Sequence, residues 1–525
     1  TVFKYENRRQ KGAVYNVYAG EDIISAYGAK IYSKGDLVKE NLSTDENGAC
    51  ILKNLHLGTY VVKEMQAPEN FYNAGEEKTV TLSYAGQNVE VVFSDVTFTN
   101  DRQKADVSVV KKDKDTENPL SGGVFALYAG SDIANADGIV VVKKGTLIEK
   151  ATTGADGKAA FNADLPIGFS YVVKEEQAPQ GYLRNSKDVY TFKFSYTSDS
   201  EPKVSFTHTF VNERVKAKIS LEKRDAETKQ AVAQGDATLE KAVYGLYARN
   251  DIVHPDGITG VIYKAGEQVA TLTTDKNGQA SVDGLYLGDY YVKEISPSVG
   301  YLADETEHDL VCNYEGDLAA EVKRDCVSLE QVMKQPFQII KAANNGKTDA
   351  DLLKGAGFTA YLESSLTKKA DGSYDFASAT PVVIGENGAT EMFTDEKGYA
   401  CSIALPYGTY IVRETTTPHN YTPVDDFTVC ITENNPNQPQ TWRVLLDDEF
   451  EAKLKIIKQD DETKKPVLQK NTEFKIYDLD HKKYVEQVTT YPTTVKHKSY
   501  FTDAEGYLIL PQNLKIGNYR IEEVN

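Results

Sequence analysis

The sequence contains few cysteines, the residues whose disulfide bonds usually stabilise small extracellular domains. It has five cysteines in 525 residues, at positions 50, 312, 326, 401 and 430, and no Cys-x-x-Cys pair. This number and spacing exclude a disulfide framework and give no sign of a zinc or redox motif. Cys312 and Cys326 lie in one predicted hairpin and could pair, although free thiols in strands are the favoured interpretation.

Positive charge and long apolar runs are also scarce. The chain has 59 Lys and Arg against 78 Asp and Glu, a net charge of −19, which argues against nucleic acid or an anionic membrane as a partner. No apolar run approaches the roughly 18 residues that a membrane span requires. The seven histidines form no metal-ligand or triad pattern, so we expect no metal, no cofactor and no enzyme acting on an external substrate.

What the chain does have is a phrase that occurs five times, as YVVKE, YVVKE, YYVKE, YIVRE and YRIEE, ending at Glu64, Glu175, Glu294, Glu414 and Glu523. The interval of about 110 to 120 residues is the size of one domain. Between these phrases, short segments rich in Val, Phe, Tyr and Thr alternate with Gly, Asp and Asn turns, which predicts strands. We therefore predict an all-β fold, a tandem array of Ig-like or prealbumin-like antiparallel β-sandwich domains forming an elongated rod. The predicted domains are residues 1–103 with a truncated first strand, 104–215, 216–333, 334–450, and 451–525, which is incomplete at its C-terminal end.

Two further positions recur when the repeats are aligned on the glutamate. A strand near the start of each repeat carries Lys4, Lys111, Lys223, Lys341 or Lys458, and the end of the first four repeats carries Asn100, Asn212, Glu330 or Asp447. Side chains two residues apart in a strand share a face, and this parity directs most of these groups inward with apolar neighbours. Because an unpaired buried charge costs several kcal/mol, we expect the lysine, the glutamate and the third group to meet.

These motifs resemble those of the B-type Cna, or SpaA-like, prealbumin-like domains of Gram-positive surface adhesins and pilins. The resemblance rests on the lysine strand, the GGVFALYA-like strand, the TDxxG turn, the YxVKE phrase and the terminal FxN. It implies an autocatalytic isopeptide bond between the lysine and the asparagine or aspartate, with the glutamate as proton shuttle. By position, Lys4 joins Asn100 with Glu64, Lys111 joins Asn212 with Glu175, and Lys341 joins Asp447 with Glu414. Such a domain reacts once, on itself, so it is not an enzyme in the usual sense.

Two repeats depart from this pattern. In the third, Glu330 occupies the acceptor position beside Glu294, which predicts an uncrosslinked domain in which Lys223 is ion-paired. The fifth has Lys458 and Glu523 and no acceptor within this chain. For every repeat the alternative is a buried, hydrogen-bonded ion pair that specifies strand register.

The resemblance implies an extracellular stalk of a cell-wall-anchored adhesin or pilus-like protein. Its ligand on a host or a neighbouring cell is unknown, and sortase attachment to peptidoglycan would involve signals outside this chain. The 11 residues from each acceptor to the next lysine predict little bending. One alternative is a sortase-polymerised pilin subunit, although no YPKN-like motif is found. Another is a module that binds a host glycan or glycoprotein through loops inserted at 232–243 and 365–392.

Overall fold

The computed structural model describes residues 3–349 and 351–524, and its regular elements are almost all strands. It confirms the predicted fold class, a tandem series of β-sandwich domains. The 3₁₀ turns of these ranges are Glu363–Ser365 and Glu386–Gly388. No helix within the described residues is long and apolar enough to cross a membrane.

The second domain shows the complete arrangement. Its four-stranded sheet has the order Leu147–Thr152, Val124–Ala129, Ser170–Gln177 and Val189–Lys193, and its three-stranded sheet the order Lys158–Phe161, Lys104–Asp113 and Lys203–Asn212. A small hairpin pairs Ile133–Ala134 with Val140–Val142. The two sheets enclose a core that contains Phe125, Leu127, Tyr171, Val173 and Phe210. The period-2 alternation of apolar residues therefore forms two facing apolar surfaces, as in other sandwiches.

One strand pair is parallel in an otherwise antiparallel domain. The opening strand, Lys104–Asp113, pairs in parallel with the closing strand, Lys203–Asn212. In this register Lys111 lies opposite Phe210, and Asn212 lies two residues further along. Because the chain enters through the opening strand and leaves through the closing strand in the same direction, a pull on the two ends acts on these adjacent strands.

The third and fourth domains repeat this plan. In the third, the four-stranded sheet is Gln268–Thr273, Val243–Ala248, Gly288–Ser296 and His308–Cys312, and the three-stranded sheet is Gln279–Leu285, Lys216–Asp225 and Glu321–Glu330, with a hairpin of Ile252–Val253 and Val261–Tyr263. In the fourth, the four-stranded sheet is Glu391–Phe393, Gly357–Leu362, Gly408–Thr416 and Phe427–Ile431, and the three-stranded sheet is Tyr399–Cys401, Gln338–Ala343 and Arg443–Asp447. Two short strand pairs accompany them, Lys334–Gln335 with Leu405–Pro406 and Thr367–Lys368 with Tyr374–Asp375. Both opening strands pair in parallel with their closing strands, Lys216–Asp225 with Glu321–Glu330 and Gln338–Ala343 with Arg443–Asp447.

The first and fifth domains lack one part of this plan. The first has the sheet Leu37–Ser43, Val14–Ala19, Gly58–Gln66 and Glu77–Leu82 and the hairpin Ile23–Ile24 with Lys30–Tyr32, but residues 3–13 and 83–103 form no strand. The fifth consists of Glu451–Ala452, Lys455–Ile457, Glu473–Asp478, Lys483–Tyr484, Gln487–Thr489, Val495–His497, Tyr500–Phe501, Tyr507–Ile509, Leu514–Lys515 and Tyr519–Glu523. Its opening strand pairs with Tyr507–Ile509, and no closing strand pairs with it up to residue 524.

The joints between the first three domains use the same polar contact twice. The Asp199 carboxylate accepts a hydrogen bond from the Ala67 amide at 3.1 Å, and the Asp199 carbonyl accepts one from the Asn73 amide at 2.8 Å. At the next joint the Asp317 carboxylate accepts from Ala178 at 2.9 Å, and the Asp317 carbonyl accepts from Arg184 at 2.8 Å. Each domain therefore satisfies backbone donors of the domain before it, which restricts bending at the short connections.

The loop inserted at 232–243 forms the joint between the third and fourth domains. The Asp236 amide donates to the Tyr407 carbonyl at 2.9 Å, and the Asp236 carboxylate accepts from the Thr409 amide at 2.9 Å. Gly235, at φ 60°, lies so close to this carbonyl that an added Cβ would be 2.3 Å from the oxygen. Gly235 and Asp236 of this loop therefore pack against the neighbouring domain of the same chain.

Candidate isopeptide sites

The second domain brings its three predicted groups together in its core. The Lys111 Nζ lies 2.5 Å from the Asn212 Oδ1 and 3.3 Å from the Glu175 Oε1. The Asn212 Nδ2 donates to the same glutamate oxygen at 2.8 Å, and the other glutamate oxygen accepts the Asn185 amide at 3.1 Å. The side chains of Lys111 and Glu175 are fully buried. The amine is thus in contact with the amide group that it would attack, and a carboxyl group contacts both.

Burial determines the protonation of this lysine. Removal from water lowers the pKa of Lys111 to about 8, against the opposing effect of the Glu175 carboxylate. The rings of Phe125 and Phe210, 4.8 Å apart, form part of the apolar surroundings. Because a shift from 10.5 to about 8 raises the neutral fraction at pH 7 by roughly two orders of magnitude, this site favours a nucleophilic amine.

The fourth domain has the same arrangement with an acid as the third group. Lys341 contacts Asp447, and its Nζ is 2.8 Å from the Glu414 Oε2, which also accepts the Val424 amide at 3.0 Å. Burial raises the pKa of Asp447 to about 6, and the nearby Glu414 carboxylate adds to this while Lys341 opposes it. Two buried carboxyl groups beside one lysine favour a shared proton, which is the state needed for an acid to lose water.

The third domain also brings its three predicted groups together. Lys223 contacts Glu330, and its Nζ lies 3.7 Å from the Glu294 Oε1, with all three side chains at most 2% exposed. The second oxygen of Glu294 accepts the Asp304 amide at 2.8 Å, as the second oxygen of Glu175 accepts the Asn185 amide in the second domain. Burial lowers the pKa of Lys223 to about 8 and raises that of Glu294. The alternation of side chains along the strands therefore predicted the buried face correctly in this repeat.

In the first domain the structure assembles two of the predicted groups and places the third elsewhere. The Asn100 amide donates to the Glu64 Oε2 at 2.8 Å, and the pKa of Glu64 is raised by burial. Lys4 instead is exposed, so its predicted pairing with Asn100 and Glu64 is not found. The predicted opening strand starts at Thr1, and Thr1 and Val2 lie outside the described residues.

The displacement of Lys4 follows from the contacts of its neighbours. Phe3 is buried with the core of the second domain, and the Tyr5 hydroxyl donates to the Asp164 carbonyl of that domain at 2.6 Å. Arg102 stacks on the Tyr5 ring at 3.5 Å. With Phe3 and Tyr5 both in contact with the second domain, Lys4 between them is left exposed to solvent.

The fifth domain brings Lys458 and Glu523 into contact at the surface. Their side chains remain 29% and 43% exposed, so Lys458 is not buried as its parity predicted. In the second, third and fourth domains a closing strand covers the lysine, and no such strand is present between residues 458 and 524. This site holds an ordinary half-exposed ion pair.

Sequence reasoning missed a buried cluster at the joint of the second and third domains. His254 and Asp113 are buried there, and their ligand atoms and those of Asp256 lie within 4.8 Å of one another. The Asp113 carboxylate accepts the Tyr182 hydroxyl at 2.6 Å, and Asp256 accepts the Asn118 amide at 2.9 Å. The recurrence of an acid two residues after Lys111 and Lys223 was the sequence signal available. Since these oxygens already accept hydrogen bonds, the cluster acts as a polar contact between domains.

Comparison with known proteins is consistent with this repeated architecture. A family model described as SpaA, prealbumin-like fold domain, matches residues 2–97, 105–209, 217–325, 336–443 and 452–525. The collagen adhesin of Staphylococcus aureus is 30% identical over 201 residues, which cover 37% of this chain and 15% of that protein. The chain thus spans a small part of this relative.

Solved structures that match parts of this chain include the TIE protein of Bacillus anthracis and the major pilin subunit of Bacillus cereus. The first is 21% identical with a TM-score of 0.44 and covers 83% of this chain and 68% of its own. The second is 14% identical with a TM-score of 0.26 and covers 66% of this chain and 100% of its own. Because the family model matches five successive segments that together include most of the sequence, the chain belongs to the SpaA family of prealbumin-like fold domains.

Proposed function

We propose that this chain is part of the stalk of a bacterial cell-surface adhesin or pilus-like protein, stiffened by intramolecular isopeptide bonds. The bonds join Lys111 to Asn212 and Lys341 to Asp447, with Glu175 and Glu414 as proton shuttles. The observation that carries the proposal is the buried contact of amine, acceptor and carboxyl group between the opening and closing strands. Cell-wall anchoring by a sortase on a Gram-positive surface is part of the same proposal.

The chemistry needs only the groups that are in contact. The neutral Lys111 amine attacks the Asn212 carbonyl carbon. Glu175, which accepts a hydrogen bond from the leaving amide nitrogen, gives that nitrogen a proton and receives the one that Nζ loses, so that ammonia departs and the new amide remains. At Asp447 the leaving group is water, and Glu414 carries the proton. No cofactor or oxidant enters either step, which suits domains whose five cysteines are free.

The mechanical role follows from the position of the bond. A pull enters a domain through its opening strand and leaves through its closing strand, and these two strands are the ones that the bond connects. The bond would keep the pulling force off the segment between Lys111 and Asn212, which are 101 positions apart. About 350 Å of chain could then not be extended. Load is carried by a covalent link while the sandwich stays folded.

Peptide mapping tests the bonds directly. Proteolysis of the full chain should release branched peptides that join Lys111 to Asn212 with loss of ammonia and Lys341 to Asp447 with loss of water. Linear peptides that carry unmodified Lys111 and Lys341 would reject the proposal and leave the buried ion pair as the explanation. Stretching single molecules tests the mechanical role, since an unfolding step of about 350 Å from the second domain contradicts it.

Two alternative functions, ligand binding and polymerisation by a sortase, each have their own test. Binding of a host glycan or glycoprotein now rests on the insertion at 365–392, because the loop at 232–243 is engaged in a joint. A glycan and matrix-protein array probed with the full chain and with a chain lacking residues 367–383 tests this alternative. Polymerisation by a sortase is tested by incubation with such an enzyme, since a stalk segment should yield no ladder of covalent multimers.

A further inference from the structure

The third domain differs from the second at three facing positions around its lysine. Lys223 lies opposite Ser328 in the parallel strand pair, where Lys111 lies opposite Phe210. The acceptor two residues later is Glu330 in place of Asn212. On the other sheet Tyr244 pairs with Glu294, where Phe125 pairs with Glu175. Relative to the second domain, one aromatic ring is lost, two hydroxyls are gained and the acceptor is longer by one methylene.

These differences make the site more polar while its side chains stay buried. In the second domain the Phe125 and Phe210 rings pack against each other at 4.8 Å. With Ser328 at the place of Phe210, space is left for the Tyr244 hydroxyl and for the longer acid, and all three side chains are buried. The site is therefore as closed as that of the second domain while holding a glutamate.

The two oxygens of Glu330 have separate partners. Oε1 accepts hydrogen bonds from the Tyr244 hydroxyl and, at 3.3 Å, from the Ser328 hydroxyl. Oε2 contacts the Lys223 amine. A buried ion pair also needs donors on the oxygen remote from the lysine, and here two hydroxyls meet on that single oxygen. Two donors on one oxygen are what an acyl-transfer site uses to stabilise the oxyanion of a tetrahedral intermediate.

We propose that Lys223 and Glu330 are joined by an isopeptide bond, so that the third domain is crosslinked by a chemistry matched to its longer acceptor. The neutral Nζ of Lys223 attacks Cδ of protonated Glu330, and the negative charge that develops on Oε1 is stabilised by Tyr244 and Ser328. Glu294 in its acid form gives its proton to Oε2, which leaves as water, and the carboxylate so formed takes the surplus proton from the nitrogen while the C–N bond remains. An amine and a carboxylic acid thus become an amide and one water, with no oxidant or co-reactant. The ion pair expected from the sequence is then the precursor of the bond.

This inference rests on the lysine chemistry proposed for the second and fourth domains and extends it to an acceptor that the sequence analysis excluded. Burial lowers the pKa of Lys223 to about 8 and raises that of Glu294, which favours a neutral amine beside a protonated acid. Lys111 shows the same lowered pKa in the second domain.

Peptide mapping of the full chain decides the question. We expect a branched peptide that joins the segments around Lys223 and Glu330, with loss of one water and no tryptic cleavage after Lys223. A linear peptide with free Lys223 overturns the inference. Peptides of the second and fourth domains in the same digest serve as internal controls. If they are branched and the Lys223 peptide is linear, this inference alone fails, and if all are linear, the proposed function fails as well.

Three variants of the full chain separate chemistry from packing. Glu330→Gln should give a branched peptide identical to that of the parent, because its amide loses ammonia where the acid loses water. Glu294→Gln should leave Lys223 linear while the branched peptides of the second and fourth domains persist. Tyr244→Phe, which restores the residue type of the second domain, should reduce the crosslinked fraction. Glu321→Gln, on the same closing strand, is the matched control and should leave the branched peptide unchanged, and a crosslinked Glu294→Gln chain would refute the assigned role of Glu294.

Discussion

Replacement of Glu175 by Gln is the most informative perturbation, because it removes an ionisable proton carrier without changing the shape of the side chain. Glu175 touches both reacting groups, since its Oε1 lies 3.3 Å from the Lys111 Nζ and accepts the Asn212 amide at 2.8 Å. We expect the variant to fold without forming the bond, and therefore to keep the ammonia that the parent loses. Glu176→Gln is the matched control, because Glu176 follows in the same strand and instead accepts the Tyr128 hydroxyl.

The size of the effect has two sources. By analogy with a disulfide, a link that closes the 101 residues from Lys111 to Asn212 contributes about 4 to 5 kcal/mol to the free energy of unfolding. In Glu175→Gln the buried Lys111 also loses its carboxylate partner, which costs about 3 to 5 kcal/mol more. The double variant Lys111→Met, Glu175→Gln lacks both the bond and the unpaired charge, so it should lose mainly the first amount.

Hydrogen exchange measured by mass spectrometry reads this stability locally in the full chain. Amides of Ser170–Gln177 in the double variant should exchange about 10³-fold faster than in the parent, as expected for a loss of 4 to 5 kcal/mol. The corresponding amides of the fourth domain, Gly408–Thr416, should be unaffected. Equal exchange of parent and double variant, or a branched Lys111 peptide in Glu175→Gln, would refute the reasoning.

Three further predictions concern pH, the fourth domain and a joint. In Asn212→Ala, Lys111 stays buried and unreacted, with a pKa of about 8 against 10.5 in the unfolded chain. Because the unfolded state binds more protons between these two values, the free energy of unfolding should rise by up to about 3 kcal/mol from pH 8 to pH 10.5. A flat pH profile in hydrogen-exchange or denaturant measurements would contradict this. Asp447→Asn should give the same Lys341 branched peptide as the parent, with ammonia lost in place of water, and a linear Lys341 peptide in the parent and the variant would show that the pair is only ionic. Asp236→Ala removes the acceptor of the Thr409 amide, so limited proteolysis within 232–243 should become faster while the branched peptides remain; unchanged proteolysis would argue against a role of this loop in the joint.

Much of the site could be predicted from the sequence, because strand parity is a local property. Lys111, Glu175 and Asn212 share faces with Val109, Val173 and Phe210, and all are buried as their positions indicated. The repeat of the YxVKE phrase gave the number of domains for the same reason, since each copy forms one strand of one sandwich.

Parity failed where burial depends on a partner that is distant in sequence. Lys4 was assigned by its position in the repeat, but the second domain contacts its neighbours Phe3 and Tyr5 and the lysine is left in solvent. Lys458 keeps its glutamate and still remains 29% exposed, because no closing strand covers it in the part of the chain described up to residue 524. From the sequence, the loop at 232–243 was a candidate ligand-binding insertion, and its contact with Tyr407 became apparent only in the structure.

The sequence by itself determined the all-β class, the five repeats and the identity of the groups that face the cores of the second, third and fourth domains, because alternation and recurrence are written in the order of residues. The tertiary structure decided which lysines meet an acceptor, that the opening and closing strands run parallel, and that Tyr244 and Ser328 both donate to one oxygen of Glu330. These outcomes depend on contacts between strands up to about 100 residues apart and between neighbouring domains, and no local pattern encodes them.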